Sequence, residues 1–171
     1  ADLVIGKANA TVTANSANVT YNGQAQTVSG FTASGLVGGE TEAVLTGVST
    51  SGGSGRNAGT YAHTASGTDS NYSLSFVDGA LTIGKANASV TANSTNVTYN
   101  GQTQNQSAPS TSGFVAGDAI LISGAASGKN AGSYTSALSV GGADKDNYNV
   151  SFTNADLVIG KANATVTANS A

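Results

Sequence analysis

The chain repeats itself, and this repetition limits its folds more than any other feature of its sequence. Ile5, Ile83 and Ile159 take equivalent places in three copies of one segment. Three further blocks recur in the same order, pairing positions 18–24 with 96–102, 56–61 with 129–134, and 71–76 with 147–152. The repeat period is about 77 residues, whereas solenoid units are shorter, at roughly 20–45 residues, so the period predicts separately folded domains.

The repeat boundaries define two complete copies with partial copies on both sides. Residues 1–17 are identical to residues 155–171, so we expect a longer array of the same domain. The expected division is residues 1–6 as the end of a preceding repeat, 7–83 and 84–160 as the two complete repeats, and 161–171 as the start of another.

Apolar and polar residues alternate with the period of a half-buried strand. Tyr72, Leu74 and Phe76 alternate with serines, and residues 148–152 repeat the pattern. No segment has the apolar spacing of an amphipathic helix. The sequence therefore predicts an all-β fold of two tandem small β-sandwich domains of immunoglobulin-like type, with a β-grasp-like domain as the alternative.

Three dipeptides between apolar stretches predict β-hairpins. They are Asn22-Gly23, Asp78-Gly79 and Asn100-Gly101. Such pairs are preferred in type I′ turns, where both central residues need positive φ. The second copy has Ala155 in the place of Gly79, and because alanine resists positive φ we expect another turn type there.

A motif in each copy resembles the tyrosine corner of immunoglobulin-like sandwiches. It reads Asn-Ala-Gly-Thr-Tyr at residues 57–61 and Asn-Ala-Gly-Ser-Tyr at residues 130–134. In such a corner the phenol oxygen bonds to the backbone a few residues upstream. We expect Tyr61 and Tyr134 to make this bond.

Large apolar residues that recur in both copies form the expected core. A domain of about 77 residues buries only roughly 60–65% of its unfolded surface, so each of them counts, and Phe76→Ala or Phe152→Ala is expected to cost about 3–5 kcal/mol. The first copy contributes Tyr21, Phe31, Leu45, Tyr61, Tyr72, Leu74, Phe76, Leu81 and Ile83. The second contributes Tyr99, Phe114, Leu121, Tyr134, Tyr148, Val150, Phe152, Leu157 and Ile159.

The assembled motifs resemble one family of bacterial repeats. In order they are Lys-Ala-x-x-Thr/Ser-Val-Thr-Ala, Thr-Tyr-Asn-Gly, Asn-Ala-Gly-x-Tyr, Asn-Tyr-x-aliphatic-Ser-Phe and Leu-x-Ile. This order is similar to that of MBG or YDG repeats over essentially the whole chain, with Tyr-Asn-Gly in place of the usual Tyr-Asp-Gly. The resemblance implies large surface adhesins of the filamentous-haemagglutinin-like, two-partner secreted type, in which such repeats form stalks.

Composition argues against several classes of function. The six Lys and Arg are scattered singly and the formal net charge is −3, so no basic surface for nucleic acid is expected. The absence of Cys excludes disulfides, thiol catalysis and iron–sulfur centres. No apolar run approaches the roughly 18 residues that could span a bilayer, so we expect no membrane insertion.

The titratable side chains are too few and too dispersed for an active site. His63 is the one His of the chain, and because the second copy has Ser136 there, a strand residue is a better interpretation than a base or a metal ligand. Glu40 and Glu42 correspond only loosely to Asp118, which argues against a carboxylate pair for hydrolysis. We therefore predict no catalytic residues and no enzymatic activity.

No cofactor or metal is expected either. Each joint between repeats offers one carboxylate, whereas Ca²⁺ takes about six to eight oxygens. The joint aspartates are Asp2, Asp78 and Asp156. A lysine also recurs at each joint, and a stem that covers apolar surface is a simpler interpretation than a Lys–Asn crosslink, for which no acid is apparent. These lysines are Lys7, Lys85 and Lys161.

Asn-x-Ser/Thr sequons are frequent, and some exported adhesins carry sugars at such sites. Strand alternation and repetition can also account for their number. The nine sequon asparagines are Asn9, Asn18, Asn71, Asn87, Asn93, Asn96, Asn105, Asn149 and Asn163.

Tandem repetition without a site is typical of stalk or spacer repeats. The sequence therefore favours a secreted protein of the bacterial cell surface that projects a distal binding domain for cell or biofilm attachment, with adjacent repeats as its partners. The alternative is a module that binds carbohydrate or host matrix through exposed loops such as residues 99–106. The joint at residues 81–90 has Gly84 as its one permissive residue, so we expect a semi-rigid connection.

Overall fold

The computed structural model describes residues 1–170, which contain β-strands, two short 3-10 helices and no α-helix. The chain divides into two compact units, Ala1–Lys85 and Ala86–Ala171, here called unit 1 and unit 2. The prediction of an all-β fold is confirmed. The described residues contain no α-helix of the kind that a β-grasp fold packs against its sheet.

Unit 1 has nine strands and a 3-10 helix at Glu42–Val44. The strands are β1 (Ala8–Ala14), β2 (Ala17–Thr20), β3 (Gln26–Thr27), β4 (Phe31–Ser34), β5 (Val48–Gly52), β6 (Ser54–Gly55), β7 (Gly59–Gly67), β8 (Tyr72–Val77) and β9 (Gly79–Gly84).

Two sheets enclose the core of unit 1. One has the order β4-β1-β8, the other has the order β2-β9-β7-β5, and β3 pairs with β6. The pairs β1–β8 and β2–β9 are parallel, whereas the other pairs are antiparallel. Val12 and Tyr72 from the first sheet share one buried cluster with Ala65 from the second. The unit is therefore a sandwich.

Unit 2 has ten strands and a 3-10 helix at Lys145–Asn147. The strands are β10 (Ala86–Thr91), β11 (Thr95–Thr98), β12 (Gln104–Asn105), β13 (Ser110–Ser112), β14 (Leu121–Ser123), β15 (Ser127–Gly128), β16 (Gly132–Thr135), β17 (Ser139–Gly141), β18 (Tyr148–Thr153) and β19 (Asp156–Gly160).

The topology of unit 2 repeats that of unit 1 with one interruption. Its three-stranded sheets have the orders β13-β10-β18 and β11-β19-β16. Strands β12 and β15 form a further pair, as do β14 and β17. The pairs β10–β18 and β11–β19 are parallel. Strands β16 and β17 together correspond to the single strand β7 of unit 1.

The first strand of each unit supplies much of its core. In β1, Ala10, Val12 and Ala14 are buried because alternate side chains of a strand point to the same face. Val12 and its counterpart Val90 are both 0% exposed, yet neither was in the predicted core. Selecting large residues missed them, because β1 contributes only Ala and Val side chains to this cluster.

Four predicted core residues are instead substantially exposed. Phe76 is 38% exposed and Phe152 is 42% exposed, because both lie near the ends of the edge strands β8 and β18. Tyr99 is 39% exposed and Leu121 is 65% exposed. Ile122, on the opposite face of β14 from Leu121, packs against the core. The core prediction was therefore wrong at these four positions.

The predicted hairpins at Asn22-Gly23 and Asn100-Gly101 are wrong. The strands on either side of these dipeptides pair with distant strands, β2 with β9 and β3 with β6 in unit 1. Positive φ occurs at Gly23 and Gly101 but not at the preceding asparagines, so neither is a type I′ turn. Each Asn side-chain oxygen instead accepts a hydrogen bond from the backbone two residues on, at 2.9 Å.

The hairpin predicted at Asp78-Gly79 is also wrong, since the chain passes there from one sheet to the other. Strand β8 belongs to the first sheet and β9 to the second. Gly79 does not have positive φ. In unit 1 a Cβ at this position would lie 2.4 Å from the carbonyl oxygens of Ala14 and Asn15, so the close backbone approach leaves no room for a side chain, whereas unit 2 has Ala155 at the equivalent position.

Candidate functional site

The tyrosine corners are present in both units. Tyr61 donates its hydroxyl to the carbonyl oxygen of Asn57 at 2.9 Å, and Tyr134 donates to Asn130 at 2.9 Å. The Tyr61 ring lies against Gly55, where a Cβ would be 2.1 Å from the ring carbon Cζ. The predicted upstream bonds are therefore confirmed, and a glycine beneath the ring makes room for the corner.

A second tyrosine in unit 1 connects the last strands to a loop. Tyr72 is 3% exposed, donates its hydroxyl to Oε2 of Glu40, and accepts a hydrogen bond from the backbone N–H of Val37 at 3.0 Å. Val37 and Glu40 lie in the loop that follows β4. The side chain thus fastens this loop to β8.

Unit 2 contains the same arrangement. Tyr148 donates to Oδ2 of Asp118 at 2.5 Å and accepts from the N–H of Val115 at 2.9 Å. Glu40 and Asp118 therefore occupy equivalent positions, although the sequence alone suggested only a loose correspondence. Glu42 has another role, because its Oε1 accepts a hydrogen bond from the N–H of Ala33 at 3.1 Å.

The electrostatics of these groups favour structural hydrogen bonds. The pKa of Tyr72 is raised mainly because its hydroxyl donates to the Glu40 carboxylate, and the pKa of Tyr148 is raised mainly by burial and then by its bond to Asp118. The pKa of Glu42 is lowered by hydrogen bonds from its own N–H and from that of Ala33. At neutral pH both phenols are protonated donors, a state unsuited to nucleophilic attack.

His63 lies in β7 and is 1% exposed. Its Nδ1 is 2.7 Å from the carbonyl oxygen of Asn15. In unit 2, Ser136 donates its hydroxyl to Oδ1 of Asn154 at 3.2 Å and accepts from the N–H of Ala155 at 3.1 Å. Both side chains bond to the chain where it changes sheets.

An open polar groove recurs on the outward face of the first sheet in each unit. In unit 1 it has a volume of about 350 Å³ and is lined by Asn9, Thr11, Ser34 and Ser75 among others. The Thr11 and Ser75 hydroxyls are 3.0 Å apart. The equivalent groove of unit 2 has about 210 Å³. Hydroxyl and amide groups line both grooves, without a charged side chain.

The charged residues assigned to the joints do not form a cluster. Asp2 and Asp78 are exposed, whereas Asp156 accepts a hydrogen bond from the Thr135 hydroxyl at 2.6 Å. Lys7 donates to the carbonyl oxygen of Asp69 at 2.7 Å. Within residues 1–170, no three or more His, Asp or Glu side chains come together in a way that could hold a metal ion.

The nine sequon asparagines are all exposed. The loop at residues 99–106 is not exposed throughout, since Gln106 is 6% exposed. Its Nε2 donates to the carbonyl oxygen of Ala155 at 3.0 Å, and its Oε1 accepts from the N–H of Ala126 at 3.0 Å. One part of the proposed binding loop is thus a structural element of the core.

Sequence reasoning missed two side chains that complete the backbone hydrogen bonding of unit 2. These are Gln106 and Asn154, whose Oδ1 accepts from the N–H of Leu138 at 3.0 Å. The available signal was that unit 1 has Val28 and Asp78 at these positions. A polar residue that replaces Val in one repeat is a candidate for a buried hydrogen bond.

These observations define two tandem copies of one small all-β domain. The family model of the MBG domain (YGX type) matches residues 10–82 and 88–158, so the chain belongs to this family and the resemblance seen in the sequence is confirmed. No curated protein and no solved structure matches the chain. In the part of the chain that the structure describes, no helix is long and apolar enough to cross a membrane.

Proposed function

We propose that the chain is a structural stalk segment of an extracellular bacterial adhesin, without catalytic activity, that projects a distal binding domain from the cell surface. The observation that carries the proposal is the use of the polar groups that recur in both units. Each tyrosine corner and each tyrosine–carboxylate pair bonds within its own unit. Their repetition therefore preserves the fold of the domain.

The link between the units supports a spacer. Strand β9 ends at Gly84 and β10 begins at Ala86, so Lys85 alone separates two strands of successive domains. A flexible Gly/Ser linker would behave as a coil, and none is present at this joint. Adding repeats should therefore add length.

Small-angle X-ray scattering of chains with two, three and four repeats tests the stalk. A compact domain of this size has a radius of gyration near ~12 Å, so the maximum dimension should rise linearly by about 30–40 Å per repeat. A matched control with about ten Gly and Ser residues inserted after Lys85 should broaden the distribution of dimensions. A dimension that does not grow with repeat number contradicts the stalk.

The recurring groove favours carbohydrate binding as the second candidate function. Its hydroxyl and amide side chains could bond to the hydroxyls of a neutral polysaccharide, and corresponding grooves along an array would act together. Titration calorimetry with neutral polysaccharides tests this, with Asn9→Ala and Asn87→Ala in one chain as the control. Equal heats from the wild type and this variant would exclude the groove.

A further inference from the structure

The first and last segments of each unit run side by side in one register. In unit 1, β1 pairs with β8 from Ala8↔Tyr72 to Thr13↔Val77. The register continues as β2 pairs with β9 from Ala17↔Leu81 to Thr20↔Gly84. The separation of partners along the chain is the same at every position. We call this parallel pairing of residues 8–20 with residues 72–84 the terminal seam.

The seam continues in one direction through the change of sheet, as positions along β7 show. The Lys7 side chain donates to the carbonyl oxygen of Asp69, just beyond one end of β7. The carbonyl oxygen of Asn15 bonds to the ring of His63, in the middle of β7. Further along, Leu81 pairs with Tyr61 and Ile83 with Gly59. Both terminal segments therefore advance along β7 without turning back.

Backbone hydrogen bonds extend the seam at both ends, and a side chain connects it at the change of sheet. The N–H of Ala8 donates to the carbonyl oxygen of Asn71 at 3.0 Å, and the N–H of Tyr21 donates to the carbonyl oxygen of Gly84 at 2.8 Å. Between them, the N–H of Ala80 donates to the Ser16 hydroxyl at 3.1 Å. The two segments are therefore connected before, within and after the change of sheet.

Unit 2 has the same seam. Its pairs run from Ala86↔Tyr148 to Thr91↔Thr153 and from Thr95↔Leu157 to Thr98↔Gly160, again with one constant separation of partners. The N–H of Tyr99 donates to Gly160 at 2.8 Å, as Tyr21 does to Gly84.

We propose that the terminal seam is a mechanical clamp that lets each repeat bear tension between its ends. Tension along the chain pulls the start of the first segment and the end of the last segment in opposite directions. Because the segments are parallel, this force slides one along the other and loads the seam hydrogen bonds together. A pull on both segments from the same end would break the bonds one after another.

The neighbouring strands prevent the seam from rotating out of this geometry. Strand β1 is also held by β4, and β9 is also held by β7, so one partner of each parallel pair is central in its sheet. Two buried side chains, Val12 on β1 and Leu81 on β9, anchor these central strands in the core. The inference deepens the proposed stalk function, since a stalk under flow must carry load without lengthening by unfolding.

Single-molecule force measurements on the full chain can separate the two pulling directions. The chain has no Cys, so pairs of introduced cysteines fix where the handles attach. Gly6→Cys with Lys85→Cys pulls the seam of unit 1 from opposite ends, and Gly6→Cys with Ser70→Cys pulls it from the same end. All three positions are exposed, and a Cβ at Gly6 meets no atom within 4 Å.

We expect the opposite-end pair to unfold at roughly threefold higher force at the same loading rate, because several hydrogen bonds break together. Thermal unfolding of both variants should match the wild type, which shows that geometry and not stability separates them. In unit 2, Lys85→Cys with Lys161→Cys should exceed Lys85→Cys with Asp146→Cys in the same way.

Equal forces in the two directions, or a lower force for the opposite-end pair, would overturn the clamp. Such a result leaves the scattering test of the stalk unaffected, because a spacer can lengthen with repeat number and still be mechanically weak. Conversely, a chain that folds back in scattering but resists opposite-end pulling would keep the clamp and remove the stalk.

Discussion

Unit 1 and unit 2 build the same stretch of sheet in different ways. In unit 1, β7 is unbroken and pairs with β5 from Val48↔Gly67 to Gly52↔His63. In unit 2 the pairing shifts by one residue. Ser123 pairs with Ser139, but the next residue, Gly124, accepts a hydrogen bond from the N–H of Ala137 at 2.8 Å. Leu138 is the extra residue, and it forms a β-bulge between β16 and β17.

Leu138 is buried in the core at the bulge, and the two units also differ in the groups that satisfy backbone donors. Leu138 is 8% exposed, and its N–H donates to the Asn154 side chain at 3.0 Å. The N–H of Ala126 donates to Oε1 of Gln106. Gly53 is the counterpart of Ala126 in unit 1, and its N–H donates to the carbonyl oxygen of Ala62 in β7 at 2.7 Å. The repeats thus preserve the satisfaction of buried donors and vary the group that provides it.

The largest effect is expected where the two units agree. Leu81 and Leu157 are both 0% exposed in the last strand of their units. Leu81→Ala and Leu157→Ala should each lower the free energy of unfolding by about 3–4 kcal/mol in its own unit. Hydrogen exchange with mass spectrometry resolves the units, and the exposed Leu121→Ala is the control, at about 0.5 kcal/mol. Costs that differ by more than about 1 kcal/mol would mean that the two cores are not equivalent.

A smaller effect should appear where the units differ. Gln106→Ala leaves the N–H of Ala126 without its partner and should cost about 2–3 kcal/mol. Val28→Ala, the matched change in unit 1, removes partly buried apolar surface and should cost about 1 kcal/mol. Denaturant unfolding of both variants measures this. If the two costs were equal, the Gln106 side chain would not be satisfying the N–H of Ala126.

The edge phenylalanines should contribute less than fully buried side chains. Because Phe76 and Phe152 are 38% and 42% exposed, Phe76→Ala and Phe152→Ala should each cost about 2 kcal/mol, below the value expected from sequence. Urea unfolding checks this, with Phe76→Leu as a control that keeps most of the apolar contact. A loss above about 3 kcal/mol would show that the side chain is buried in solution.

The smallest effect should be confined to alkaline pH. The raised pKa of Tyr72 and of Tyr148 means that the folded state favours the neutral phenol. This stabilisation is complete below the unfolded value of about 10 and is lost as pH rises through the raised pKa. Tyr72→Phe should flatten the loss in unit 1 alone and Tyr148→Phe in unit 2 alone, as measured by unfolding between about pH 9 and 12. An unchanged alkaline profile in both variants would contradict the assignment.

Local patterns in the sequence predicted what depends on short motifs. The alternation around Tyr72 predicted a strand, and the five-residue motif ending at Tyr61 predicted the corner bond, because both are decided within a few residues. The exposure of Phe76 depends on the edge position of β8. The burial of Gln106 depends on its bonds to Ala126 and Ala155, which lie far along the chain. Such features arise from pairing between distant segments, which local pattern does not encode.

The candidate site could be predicted only in part from the sequence, for the same reason. Glu40 and Asp118 stand one repeat apart in the sequence, but their equivalence appears once both are seen to accept a hydrogen bond from a buried tyrosine. The parallel pairing of the first and last segments gave no sequence signal at all. The Asp78-Gly79 dipeptide indicated a reversal where the chain continues forward.

The constant register of the terminal seam restricts where insertions and deletions can be accepted. Partners are closer along the chain in unit 2 than in unit 1, as Ala86↔Tyr148 and Ala8↔Tyr72 show, yet the paired positions are the same in number. The two-residue deletion therefore lies in the chain between the terminal segments. One residue inserted within residues 8–20 would turn the following side chains to the opposite face, so Val19 would exchange places with its exposed neighbours. Related repeats should accordingly vary in the length of their inner loops and keep the length of both terminal segments.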